Sequence, residues 1–339
     1  MTIIIDTRYG AMECLEGDSI VSTSLIKYGE WAQSELDLLS KIVRPGQTVL
    51  DVGSFLGTHT LAFAHMVGSI GKVHSFEPRR DIRSILERNV LRNGLSNVVL
   101  HPCALGLADA TINIPAVDIA QSGNFGGLSI NESIPTDEGV TEGISIKRLD
   151  DFVFDRLDFI KVDAEGMEED VIAGGRSVVH QFRPVLFAEC NDLEHGYQTL
   201  QQLIALDYQV YGVSSSAFNP GNYRASAENI FGTAVEISLL AVPKEQADSI
   251  VGDLDLKQFA RICVIDDLNL LMLQKPQYPE EVLARCSAGR VLSLLYPSPL
   301  SNRLSANHNI EVAALRGVIA DLEQRNSALD AALKAQRAD

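Results

Sequence analysis

The chain has 339 residues, 46% of them apolar, and a formal charge of −17. It is long enough to bury one large core with something added. The acidic balance excludes the usual route to non-specific nucleic-acid binding, in which Lys and Arg neutralise phosphates. Residues 251–339 hold 11 acids and 10 bases, so the excess negative charge belongs to the first 250 residues and a boundary is expected near there. Five scattered cysteines (Cys14, Cys103, Cys190, Cys263 and Cys286) form no C-x-x-C or Cys/His metal pattern. They predict reduced thiols in a cytoplasmic protein and no Cys/His metal site. The opening Met1–Asp6 lacks a basic n-region, and no run approaches the about 18 apolar residues of a membrane span.

Short strands and turns are expected over residues 1–28. An amphipathic helix follows at 33–43, with Leu36, Leu39 and Ile42 on one side, ended by Pro45-Gly46. The intervening Tyr28-Gly29-Glu30-Trp31 reads as either an aromatic cap or a lid over a ligand site. Then comes the stretch that organises the rest, Thr48–Thr60, TVLDVGSFLGTHT. It passes from an apolar strand through a glycine turn to an apolar helical run at 61–66. Such a βα corner is where open α/β sheets bind ligands. A dinucleotide site wants G-x-G-x-x-G around a pyrophosphate. This turn has only Gly53 and Gly57, with Asp51 just before them. A carboxylate there repels phosphate and favours a cationic ligand such as S-adenosylmethionine (SAM). Ser54 and Thr58 lie in the same turn and helix start.

Further strands are expected at 72–78, 97–105, 157–163, 184–190, 208–213 and 237–242, with helices at 79–93, 167–180 and 197–206. Two polar loops rich in Gly, Ser and Asn, 116–143 and 214–232, are long enough to suggest function. Strands alternating with helices predict a parallel sheet covered on both faces. The last two strands have no helix between them, which predicts an antiparallel edge.

Several side chains carry chemistry. Glu77 ends the second sheet strand, where a carboxylate can accept both ribose hydroxyls of an adenosine ligand. Cys103-Ala104 ends the third, placed to flank an adenine. Asp163 and Glu165 end the fourth and Glu189 the fifth. This acid cluster has three open readings: holding an ammonium group, acting as general base, or binding a divalent metal. His59, in the opening helix, is a further candidate base or a packing residue. Glu30 is a cofactor-binding candidate in the Tyr28–Trp31 segment. In the loops, Asn124, Asn219, Asn222 and Asn229 with Phe125 and Tyr223 suit a polyhydroxylated acceptor.

In order along residues 28–245, VLDVGSFLGTHT, SFEP, HPCALG, RLDDF, DFIKVDAEGMEEDVIAGG and RPVLFAE resemble the FkbM-type SAM-dependent methyltransferases. The resemblance implies a class I SAM-methyltransferase fold: Rossmann-like, doubly wound, with a mostly parallel seven-stranded sheet and an antiparallel edge strand. It implies SAM as methyl donor and O-methylation of sugar or polyketide-like hydroxyls, so the expected partner is a small-molecule or glycan acceptor. It places Asp51, Gly53, Gly57 and Glu77 at the cofactor, Asp163 at the cofactor–substrate junction, and Glu165 and Glu189 beside it. Ser54-Phe55 departs from the family, which commonly has Ala-Asn there. Two other readings stand: a SAM-binding or inactive scaffold, and a nicotinamide oxidoreductase.

The expected organisation is N-terminal strands and a cap helix (1–47), the methyltransferase domain (48–250), an extension (251–304) and a C-terminal helix (305–339). In that helix Val312, Leu315, Ile319, Leu322, Leu329 and Leu333 step by three and four, with Asn326 in the one gap. This is a short coiled-coil seam whose buried Asn favours two strands. Deleting residues 305–339 is expected to convert a homodimer to a monomer. Light scattering checks this, and an unchanged mass on deletion would exclude the dimer.

Overall fold

The computed structural model describes residues 1–116, 119, 122–129, 141–252, 254, 259–273 and 275. The expected coiled coil at 305–339, most of the extension at 251–304 and much of the loop at 116–143 lie outside them. The chain opens with a hairpin of β1 (Thr2–Thr7) and β2 (Gly10–Leu15), then α1 (Val21–Tyr28) and α2 (Gln33–Leu39). The Rossmann-like part runs β3 (Thr48–Val52), α3 (Thr58–Val67), β4 (Lys72–Phe76), α4 (Arg80–Arg92) and β5 (Val98–His101). A small three-stranded sheet follows, built from β6 (Ala104–Leu105), β7 (Ala110–Pro115) and β8 (Thr141–Lys147). The chain then returns through β9 (Phe159–Val162), α5 (Glu168–Gly174), α6 (Arg176–Phe182), β10 (Val185–Glu189) and α7 (Leu193–Ala205). It closes with β11 (Tyr208–Ser216), β12 (Val235–Pro243), α8 (Ala247–Val251), β13 (Phe259–Ile262) and α9 (Ile265–Met272).

The main sheet has the order β13-β11-β12-β10-β9-β3-β4-β5. Strands β5, β4, β3, β9 and β10 pair in parallel, and β12 runs antiparallel to both β10 and β11. This is the class I SAM-methyltransferase arrangement, with two differences from expectation. The antiparallel strand is inserted one place inside β11 rather than at the edge. The extra strand β13 pairs antiparallel with β11 and makes the sheet eight-stranded. The order reverses between β3 and β9, which opens a crevice beyond their carboxyl ends.

Three local departures have clear causes. The strand expected at 97–105 breaks after His101 because Pro102 has no N–H to donate to the ladder. The helix expected at 167–180 divides at Gly174-Gly175 into α5 and α6. There the backbone presses on another strand end: a Cβ on Gly174 would sit 2.0 Å from the Gly106 carbonyl oxygen. Helix α7 begins four residues earlier than expected, at Leu193, because the Asp192 carboxylate accepts from the Glu194 and His195 N–H groups.

Both faces of the sheet are packed. On one, Phe63 of α3 meets Phe159 at 5.7 Å, inside a cluster with Val49, Phe187 and Leu240. On the other, His74 and Phe76 are covered by Phe154 and Phe152 edge-on. Among the described residues no helix is long and apolar enough to cross a membrane.

Amides at α4 fasten the N-terminal hairpin: Asn93 donates to the Ala11 carbonyl and accepts from its N–H, and the fully buried Asn89 reaches further. Asn89 of α4 donates to the Glu13 and Leu56 carbonyls and accepts from the Glu13 N–H. Its side chain therefore satisfies β2 and the glycine turn together. Asn89→Ala leaves three buried backbone groups without partners and is expected to cost about 2 kcal/mol or more. Urea denaturation measures this, and a loss below about 0.5 kcal/mol would contradict the fastening role.

Candidate active site

Strand β3 ends in a turn that needs glycine. Gly53 has φ +79°, and a Cβ there would lie 1.7 Å from the Asp163 carbonyl oxygen. Gly57 caps α3 at φ +94°, with its N–H on the Ser54 carbonyl at 2.8 Å. Gly53 and Ser54 both donate to the Phe76 carbonyl, and Asp163 donates to that of Val52. The ends of β3, β4 and β9 are thereby laced together at the crevice. Thr58 is buried in the first turn of α3.

Beneath the turn is a polar knot. The Ser54 hydroxyl donates to the Asp51 carbonyl at 2.8 Å, and Ser75 donates to Ser54 at 2.6 Å. Thr60 donates to Asp51 Oδ2 at 2.5 Å. Asp51 is fully buried, and its Oδ1 has no hydrogen-bond partner. The side chain that replaces the commoner Ala at Ser54 is thus used internally.

Glu77 sits where the sequence places it, after β4. Its two oxygens accept from the Phe55 N–H at 3.0 Å and the Arg79 N–H at 2.8 Å. Burial pushes its carboxyl up to about 7 against the pull of those donors. Cys103 and Ala104 are buried at the break between β5 and β6, and burial raises the Cys103 thiol to about 11.

The acids converge. Ligand oxygens of Asp163, Glu165 and Glu189 all lie within 4.8 Å of one another. Among the described residues, this is the group of His, Cys, Asp and Glu close enough to hold a metal ion. The turn that carries Glu165 is strained, with φ +50° at Glu165 and +89° at Gly166. Glu168 stabilises it by accepting from the Ala164 N–H at 2.8 Å. Lys161, 3% exposed, donates to Asp163 at 2.9 Å. Burial opposes charge on Lys161, yet the surrounding Asp163, Asp51 and Glu35 hold its ammonium well above the usual lysine range. Burial likewise opposes charge on Asp163, but Lys161 and a hydrogen bond from Glu189 together outweigh it and keep this carboxyl below the usual range. The others move the opposite way. Burial and then Asp163 push Glu165 up to about 8 and raise Glu189 well above its ordinary value.

Two members of this cluster carried no motif in the sequence. Glu236 of β12 is raised by burial, while Lys275 pulls it back. Lys275 itself is 2% exposed and donates to Asn191 at 2.9 Å. Both come from segments that only the strand order brings to this rim. An isolated Lys after an apolar helix gives no sign that it is buried.

Two expected site residues are occupied elsewhere. His59 is buried against Glu35, Nε2 to Oε1 at 2.9 Å, on the inner side of α3. The Glu30 carboxylate takes the Arg8 guanidinium, the Asn219 amide at 2.7 Å and the Tyr223 N–H at 2.8 Å. Glu30 thus clasps the 214–232 loop. That loop packs Phe218 and Phe231 on Tyr28, and Phe231 also meets Trp31 at 5.9 Å, so the Tyr28–Trp31 segment and the loop form one unit. The amides of Asn124, Asn219, Asn222 and Asn229 are engaged with groups inside or against their own loops. Phe125 donates its N–H to Asp18, which fixes the 122–129 stretch near Phe55. A separate polar cavity of about 290 Å³ opens at the amino ends of β3, β9 and β10, on the far side from this chemistry.

Residues 51–210 match the family profile described as "Methyltransferase FkbM domain". That stretch, a little under half of the chain, is similar to FkbM methyltransferase domains. Methyltransferase 1 of Beauveria bassiana is 27% identical over 143 residues, 37% of this chain and 57% of that protein. The chain thus spans little more than half the length of this curated relative. Among solved structures, the FkbM methyltransferase of Methylobacillus flagellatus is 18% identical, covering 57% of this chain and 43% of its own, with a TM-score of 0.38. A SAM-dependent O-methyltransferase of Thermotoga maritima is 18% identical, covering 71% and 78%, with a TM-score of 0.36. At those scores the strand order, rather than the superposition, carries the fold assignment.

Raised carboxyls make stability depend on pH. Glu77, Glu165, Glu168 and Glu189 hold protons more tightly folded than unfolded, with values of about 7, 8 and 7 for the first three. The folded state therefore binds more protons, and stability falls as pH rises toward about 8. The lowered His74 and His101 oppose this only below about 6.5. The ligand-free protein is expected to melt higher at about pH 6.5 than at about pH 8.5, with a smaller difference in Glu165→Gln. Calorimetric scans in matched ionic strength test this. A higher melting temperature at the alkaline end would refute it.

Proposed function

We propose that the protein transfers a methyl group from SAM to a hydroxyl of a saccharide, glycoconjugate or polyketide-like metabolite. The observation that carries this reading is the meeting, at one switch point, of a glycine turn without room for a Cβ and a carboxylate cluster whose members are pushed apart in acidity. The residues fit the donor. The Gly53–Ser54 backbone allows close approach, Glu77 keeps lone pairs for ribose hydroxyls, and Asp51 holds an oxygen without a hydrogen-bond partner under the turn. When bound, SAM supplies a methyl group made electrophilic by its sulfonium.

The chain's own residues supply position and a proton acceptor. Asp163, held ionised by Lys161, accepts a hydrogen bond from the acceptor hydroxyl and orients it. Glu165, poised near neutrality, takes the proton as the oxygen becomes a nucleophile, with Glu189 beside it as the alternative acceptor. In-line positioning of the two partners contributes on the order of several kcal/mol to barrier lowering. The stretches 122–129 and 214–232 exclude water. Their amides being engaged internally, and the Tyr223 hydroxyl being held by Asp6, acceptor recognition falls to the carboxylates.

The test is S-adenosylhomocysteine formation with a panel of saccharides and nucleotide sugars, paired with SAM titration calorimetry. Asp163→Asn is expected to lower turnover roughly 10²–10⁴-fold. Full activity in that variant sinks the assignment. SAM binding without product across the panel would favour a scaffold role instead.

A further inference from the structure

Lys275 is an enclosed cation 65 residues beyond residue 210, the last position of the family match. Its ammonium donates to Asn191 Oδ1 at 2.9 Å and lies 4.0 Å from a Glu236 oxygen. The other end of the same amide donates to Glu189 at 2.7 Å and to Glu165 at 3.2 Å. An ammonium has three donors and no acceptor, so it accepts only one orientation of the amide. With the oxygen held toward Lys275, the NH2 group must face the carboxylates. Reversed, the amide would point its oxygen at both of them and withdraw two donors.

The segment that brings Lys275 here is itself anchored. Strand β13 pairs with β11, and α9 is tied at its end by the Cys190 thiol on Met272 Sδ, 3.6 Å away. Cys190 immediately precedes Asn191, so the same contact fixes both partners of the relay.

We propose that Lys275 is a positioning residue of the methyl-transfer site, locking the Asn191 amide so that it donates to Glu165 and Glu189. This rests on the function proposed above, in which those two glutamates are the proton acceptors. A residue outside the family-matched region thereby orients a donor toward residues inside it. The groups facing the relay are Glu236 of β12, Glu189 of β10, Asp163 and Lys161 at the end of β9, Glu168 of α5 and Asp192 ahead of α7.

The experiment is a carboxyl-carbon NMR titration of the full, ligand-free chain, with Glu165 and Glu189 signals assigned by Glu165→Gln and Glu189→Gln. Lost donors destabilise the charged form, so Lys275→Met is expected to raise both midpoints by more than about half a pH unit. Lys275→Arg, which keeps a donor-only cation, is expected to restore most of the shift. Asn191→Leu leaves the lysine in place, removes the relay and is expected to raise the same midpoints; it also serves if Lys275→Met does not fold. Unmoved midpoints in a folded Lys275→Met or Asn191→Leu protein overturn the proposal. So does a response to Lys275→Met alone, which would mean that the lysine acts only by its charge. Neither SAM nor an acceptor enters this measurement, so failure of methyl transfer and failure of the relay give separate results.

Discussion

Two backbones meet where β3 and β9 end, and nothing larger than a hydrogen atom fits between Gly53 and the Asp163 carbonyl. That approach sets the rest of the site. It places the glycine turn and the DAEG turn side by side, so that one lip of the crevice is bare backbone and the other is carboxylate. A side chain at Gly53 would separate the lips and, at φ +79°, strain the turn as well. The parallel pairing of β3 with β9 and the order reversal at this point make the contact, and the helices behind them hold it.

The charges follow from this closeness. Several carboxylates share a small, poorly solvated volume, and they cannot all be ionised without help. Lys161 commits its help to Asp163, which stays charged. Glu165 and Glu189 are left holding their protons more tightly, with a neutral donor, Asn191. An ionised carboxylate beside others that hold their protons more tightly suits proton transfer, and here it arises because Lys161 reaches Asp163 directly while Lys275 reaches Glu165 and Glu189 only through Asn191.

Much of the fold was legible from periodicity and punctuation. Pro45-Gly46, the Gly53 turn and Asn93-Gly94 bounded elements that the structure reproduces within a few residues. The helix break at Gly174-Gly175 was not legible, because its cause is a contact with Gly106 from a distant strand. The hairpin's attachment through Asn89 was missed for the same reason. In the site, Asp51, Glu77, Asp163, Glu165 and Glu189 were visible because each ends a strand or turns beside one, where the fold class itself assigns meaning. Glu30 and His59 also stood near motifs, but their partners Asn219, Tyr223 and Glu35 come from elsewhere in the chain and redirect them to packing. Glu236 and Lys275 were invisible, since neither lies in a motif.

The placement of β12 has a practical consequence for how this protein is divided. The family match stops at residue 210, inside β11 (Tyr208–Ser216). Yet β12, which lies between β10 and β11, begins only at Val235. A fragment cut at the limit of sequence similarity would hold two strands with the one that belongs between them missing, and β10 would present an open, apolar edge of the kind that pairs with other chains. The unit that evolution keeps recognisable and the unit that can fold are different lengths of the same chain, and the second is set by a strand that the first leaves out.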